Sequence, residues 1–466
     1  MQRIIGLAVA AMLVSGSGEV PVAGAGEWRE EGGLDVVAQG SPPFNVTALL
    51  TSARGAPPMI CAMAAQSVRR WGWGRDGSDA PSTPLRSIVS AVNDRLNLTS
   101  GNLPPEDIER LMAGLASDDP CVRELSVRLL GTQKGEPTSR GLIMRLAHND
   151  ASLREVAALG LGFVEPAEAL TPLMTALRDQ SAGVRANAAW ALGRFEDGRA
   201  LRSLVNLFAD DAALVREAAI VAVGHMESTA SVAALIRVVR QDDAPAVRRV
   251  AAWALGNIEA REAVQELARA LGQDSDARVR EMSAWALGNI EDKAGTAALT
   301  NAARRDADDR VRETAVWALG EMEDRTALEV LGQIAGSDRS SRVRGTAAWA
   351  IGQLDGRGTR APAGLLQALK DESEDTRLKA AWALGELEDI NALPAIREAL
   401  RVEKGDRVQR ALIRALMESG GRNEAELTNL LNSSDARVRE AAVRGLAGRN
   451  SFNPWPWPQP RPRPYP

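Results

Sequence analysis

The chain has 466 residues, with 56 Lys and Arg against 61 Asp and Glu, and a net charge of −5 that offers no bulk positive field for nucleic acid. It is 45% hydrophobic but only 4% aromatic, and its aromatics are 11 Trp with 5 Phe and 1 Tyr, a composition suited to an Ala-rich helical protein. Two His and two Cys make a poor supply for a tetrahedral metal site or for a Cys–His or Ser–His–Asp nucleophile.

Residues 1–25 have the pattern of a secretory signal. Arg3 gives a short positive region, Ile4 to Val14 an apolar one, and Ala23 to Ala25 a small-residue cleavage site. The expectation is an exported chain, periplasmic or secreted, with no membrane span in its mature part, because no later run approaches ~20 apolar residues. In an oxidising compartment Cys61 and Cys121 are expected to form one disulfide. Residues 26–103 follow no period and are expected to form a helical cap, with helices over 59–70 and 85–96 flanking the loop WGWGRDG.

From residue 104 to 448 a period takes over. A Val-Arg motif places Arg at 123, 154, 185, 216, 248, 280, 312, 344, 377 and 439, with Gln409 filling the one gap, at intervals of 30 to 33 residues. Eight residues after each Arg comes a Gly, from Gly131 to Gly385, drifting only in the last two units, to Met417 and Ala447. Self-similarity at this period is the mark of a solenoid, here of about eleven units.

Each unit reads as two helices joined by a short polar turn. The segment 104–116 opens the first unit, with Pro at a helix start. In "DARVREMSAWALGNIED" either Asp274 or Asp276 can cap the Val-Arg helix, and Glu281 suits its opening turn. The second helix carries apolar residues at helical spacing, such as Leu365, Leu366 and Leu369. Neither can bury its face alone, so neighbouring units must supply the core. The last segment, 449–466, ends in "NPWPWPQPRPRPYP", whose alternating Pro dictates polyproline II.

The Asp before the helix, the Val-Arg pair, the small residues after it and the "ALG" close resemble HEAT repeats, in particular the short bacterial HEAT-like type associated with phycobilisome lyases. The resemblance implies an all-α solenoid superhelix of antiparallel helix pairs, with the Val-Arg helices on its concave side. It says little about activity. HEAT-like deoxyhypusine hydroxylases hold di-iron through His-Glu pairs, whereas His148 and His225 are followed here by Asn149 and Met226. Bilin lyases act on cytoplasmic or plastid proteins, which an exported chain would not meet. No catalytic residue, metal or cofactor is expected.

A helical wheel with Val279 at zero puts Ser283, Ala286, Leu287 and Ile290 on the core stripe, and places Trp285 near ~240° and Asn289 near ~280°. The same positions recur as Trp190 with Arg194, Trp253 with Asn257, Trp317 with Glu321, Trp349 with Gln353 and Trp382 with Glu386, while Val221 and His225 occupy them in one unit. Two arrangements satisfy this pattern. The indoles can form an exposed ladder, similar to the armadillo motif in which Trp and Asn clamp an extended peptide. They can equally lie across the small residues of the neighbouring repeat. The repeating Arg is expected to be structural, paired with an Asp or a carbonyl between repeats.

The expected function is that of a scaffold or adaptor binding protein or extended peptide on the concave face, with the chain's own C-terminal tail as one candidate occupant. The alternative is a lyase-like enzyme or cofactor handler of the same repeat group.

Overall fold

The Val-Arg helices start where a short polar side chain halts an extended backbone and takes over the free N–H groups of the first turn. Asp276, at φ −88° and ψ 123°, accepts from Arg278 N at 2.8 Å and Val279 N at 3.2 Å. Asp150 and Asp308 do the same for their helices. In the computed structural model, residues 45–57, 103–354 and 357–420 are described, with a few isolated positions beyond. The predicted helices over 59–70 and 85–96, the signal segment, Cys61 and the tail lie outside the described residues.

The described chain forms 21 α-helices, named α1 to α21 in order, and no strand among the described residues. The first unit, up to Met226, holds α1 (Val46–Ala53), α2 (Pro105–Gly114), α3 (Pro120–Gly131), α4 (Glu136–Arg145), α5 (Ala151–Val164), α6 (Leu170–Ala176), α7 (Ala182–Phe195), α8 (Gly198–Asn206) and α9 (Ala213–His225). The second, from Glu227, holds α10 (Val232–Gln241), α11 (Pro245–Asn257), α12 (Val264–Gln273), α13 (Ala277–Ile290), α14 (Thr296–Arg305), α15 (Asp309–Glu321), α16 (Leu328–Ser337), α17 (Ser341–Gln353), α18 (Ala363–Ala368), α19 (Glu374–Leu387), α20 (Leu393–Val402) and α21 (Asp406–Glu418). From α3 on, the odd helices carry the Val-Arg motif.

Within each unit the odd helices pack side by side in one layer, and each even helix packs on the odd helix that follows it. The core between the layers is Val, Leu and Ile from both, as with Val279, Leu287, Ile290 and Leu299. The architecture is thus an α-solenoid in which each repeat completes its neighbour's core. Helix α1 was not anticipated from the sequence. It packs on α2 and α3, and just beyond it Gly55 N donates to Asp119 Oδ2 at 2.6 Å. Cys121, at the start of α3, is buried; its pairing with Cys61 remains a proposal.

The repeating Arg locks one repeat to the next. Arg312, only 2% exposed, donates from Nε and Nη2 to both carboxylate oxygens of Asp338, at 2.9 and 3.0 Å, and from Nη1 to the carbonyls of Asp306 and Ala307. Asp338 in turn accepts from Ser340 N at 2.8 Å, at the entrance of α17. One ion pair therefore fixes the guanidinium, the loop before its own helix and the start of the next. The pattern recurs as Arg154–Asp179, Arg185–Asp210, Arg248–Asp274, Arg280–Asp306, Arg344–Asp371 and Arg377–Glu403. Asp274 thereby serves the Arg lock while Asp276 caps the helix.

Candidate binding surface

The regular spacing of Gly and Trp along the chain is explained by contact between adjacent odd helices. A Cβ added to Gly256 would meet Cζ3 of Trp285 at 2.9 Å, and one added to Gly288 or Gly320 would meet Cζ3 of Trp317 or Trp349 at 3.1 Å. Trp190 crosses Gly162, and Trp382 crosses Gly352, in the same way. Each of these five indoles lies on the glycine of the repeat before it. Where Val221 stands in place of Trp, Gly193 is approached instead by Ala222.

The six indoles of the repeats are buried unequally. Trp190, Trp349 and Trp382 are 3%, 5% and 7% exposed and serve as packing between repeats. Trp253, Trp285 and Trp317 are half-buried and keep part of the ring at the surface, on three consecutive odd helices of the second unit. The residues four positions on, Asn257, Asn289, Glu321, Gln353, Glu386 and Arg194, are all half-buried beside them.

Their partners differ. The Arg194 guanidinium lies 5.5 Å from the Trp190 ring centroid and donates to the Gly162 carbonyl at 2.7 Å and to Glu165 at 2.6 Å, while Phe163 meets Trp190 edge-on. Glu321 accepts from the Trp317 side chain; burial, reinforced by the neighbouring charges of Glu291 and Glu323, pushes its carboxyl above the usual range. Glu386 receives Arg414 Nη2 at 2.7 Å. Burial likewise raises Glu281 and Glu313, which sit one turn before the Trp positions on the same helices.

A further set of residues was missed from the sequence. Glu165, Glu196, Glu227, Glu259, Glu291, Glu323 and Glu388 all adopt left-handed backbone, with φ between 49° and 55°, where the odd helices end. That position ordinarily belongs to Gly or Asn, and the C-terminal end of a helix disfavours an anion. The signal was present, since a Glu stands three residues after the Gly in each of these repeats.

Among the described residues no group of three or more His, Cys, Asp or Glu could hold a metal ion, and no helix is long and apolar enough to cross a membrane. His148 lies before α5, where its Nδ1 accepts from Asp150 N at 3.0 Å; His225 ends α9.

The fold and this surface define a class: an α-solenoid of two-helix repeats whose side-by-side helices present a row of indoles, amides and carboxylates. The chain belongs to the HEAT-repeat family, whose model matches residues 139–224, 232–317, 296–363 and 362–447. No curated protein matches the sequence. Among solved structures, the chain is similar to Kap95p, in a structure with RanGDP, at 14% identity over 88% of this chain and 65% of that one, with a TM-score of 0.52. It is also similar to Escherichia coli YibA, at 22% identity over 53% of this chain and 91% of that one, with a TM-score of 0.44. A third similarity is to CpcE and CpcF of phycocyanin lyase from Nostoc, at 22% identity over 55% and 95%, with a TM-score of 0.33. At these identities the likeness is one of fold.

Proposed function

We propose that this chain is an exported scaffold that binds protein or an extended peptide on the outward face of its odd helices, without catalysis of its own. The observation that carries the reading is the run Trp253, Trp285, Trp317 in the second unit. Three partly exposed indoles on consecutive helices, each with a hydrogen-bonding side chain four residues on, form an amphipathic surface suited to a partner. The HEAT fold is compatible with this role, and the Kap95p structure pairs that fold with a bound protein. The segment 453–466 remains a competing occupant, as its polyproline II character lowers the entropy lost on docking.

The test is affinity capture from the exported fraction with the intact chain and with W253A, W285A and N289A. The reading expects a stoichiometric protein partner that the three substitutions weaken while the helical content stays unchanged. N289A guards against a packing artefact, because the half-buried Asn289 side chain makes no hydrogen bond to another described residue. Deleting residues 453–466 should strengthen capture. A partner held equally well by all variants would overturn the choice of surface, and a chromophore carried by the purified chain would favour the lyase-like alternative.

A further inference from the structure

The seven left-handed glutamates are costly twice over, in backbone conformation and in the field of the helix end, and their recurrence calls for a physical reason. The first unit supplies one. There Arg194 rests on the Trp190 ring, donates to the Gly162 carbonyl at the end of α5 and pairs with Glu165 at 2.6 Å. A ring, a helix-end carbonyl and a left-handed Glu from the preceding repeat together make a seat for a guanidinium, and the chain fills this seat itself.

The same three elements recur in the second unit with no cation in them. Gly256, Glu259 and Trp285 form one set and Gly288, Glu291 and Trp317 the next, with each Trp lying across its Gly as Trp190 does across Gly162; in the third, Gly320, Glu323 and Trp349, the ring is only 5% exposed and closed to a cation. At the position of Arg194 these repeats carry Asn289, Glu321 and Gln353. Among the described residues Glu259, Glu291 and Glu323 make no ion pair, and all three are exposed. In the middle set Glu321 joins Glu291 and Glu323, and burial together with their charge pushes its carboxyl above the usual range, a tension that a cation would relieve.

We propose that the two seats with an open ring, at Glu259 and Glu291, bind Arg or Lys side chains of an extended, basic segment of a partner protein, one side chain per repeat. The inference rests on the peptide-binding reading above and names the chemistry of its ligand. Packed helices stand ~8–10 Å apart, and polyproline II advances ~9 Å in three residues, so the matching ligand carries a basic residue at every third position. The two Arg of the chain's own tail, Arg461 and Arg463, are spaced two apart and match this register less well.

The experiment uses the full chain and two labelled twelve-residue peptides, one of four Arg-Pro-Pro triplets and one of four Gln-Pro-Pro triplets, followed by fluorescence anisotropy. The Arg peptide should bind at least about tenfold more tightly, and its advantage should shrink with salt. Each of E259Q and E291Q should weaken it about threefold, the size of an exposed charge pair, and the double variant about tenfold. N289R should weaken it as well by filling one seat internally, as Arg194 does, while leaving the melting temperature unchanged or raised; this arm stands even if a glutamine variant folds poorly. Equal binding of the two peptides, or a double variant that binds like the parent, overturns the inference. If both peptides bind equally and W285A weakens both, the basic specificity fails while the peptide-binding reading stands. If a peptide of residues 453–466 binds these glutamates more tightly than the Arg peptide, the occupant is the tail and the assignment to a partner is overturned.

Discussion

Asp338→Asn tests the lock between repeats most directly. The substitution keeps the shape of the side chain and one accepting oxygen, so Ser340 N can still be capped, but it removes the charge facing Arg312. The Arg312 and Asp338 side chains are only 3% and 10% exposed, so water cannot replace the lost partner. Breaking a buried pair from one side costs ~3–5 kcal/mol, and the retained hydrogen bond sets the expectation near ~3 kcal/mol. In a solenoid this loss is felt locally, so a single melting curve would blur it. Amide hydrogen exchange resolves it: peptides from α15, α16 and α17 should open roughly a hundredfold more often, at ~1.4 kcal/mol per factor of ten, while α11 keeps its protection. Glu398→Gln is the control, since its pair with Arg401 is 49% and 72% exposed, and it should leave exchange unaltered. If Asp338→Asn changes local exchange by less than fivefold, or no more than the control, the Arg–Asp contacts are surface decoration and the lock is wrong.

Gly288→Ala should destabilise the second unit by ~1–3 kcal/mol in urea unfolding, because the new methyl would lie 2.8 Å from Ala318 Cβ and 3.1 Å from Trp317 Cζ3. Glu291→Gly should do the reverse, gaining about 1 kcal/mol from relief of the left-handed backbone and the helix-end charge, while weakening binding of the Arg peptide. Acid should unfold the array. The hydrogen bonds of Arg154 hold Asp179 below the usual carboxylate range; at Asp210, Asp274, Asp371 and Glu403 burial pushes upward, but the facing Arg and the capped amide outweigh it. A depressed folded pKa gives stability that is full above the unfolded carboxylate values, near pH ~4, and lost as pH falls through the folded ones, so circular dichroism should show a cooperative loss of helix below about pH 4.

The period of 30 to 33 residues, a helix start at Asp274 or Asp276 and the structural use of the repeating Arg were legible in the sequence, because each depends on local capping or on a pattern that every repeat restates; only the structure showed that Asp276 is the cap. Tertiary structure decided the rest. Trp190 and Trp285 hold the same angle on their helices, yet one is 3% exposed and the other half-buried, because exposure depends on what packs over the ring, here Phe163 of the preceding repeat and Arg194 of the same helix. The glutamates were visible as letters but not as sites. Only the fold reveals that their backbone turns left-handed at φ near 50°, and that the helix ends at Glu165, Glu259, Glu291 and Glu323 lie beside the indole of the next repeat. Helical periodicity fixes which face a residue occupies; the packing of one repeat on another fixes what that face can touch.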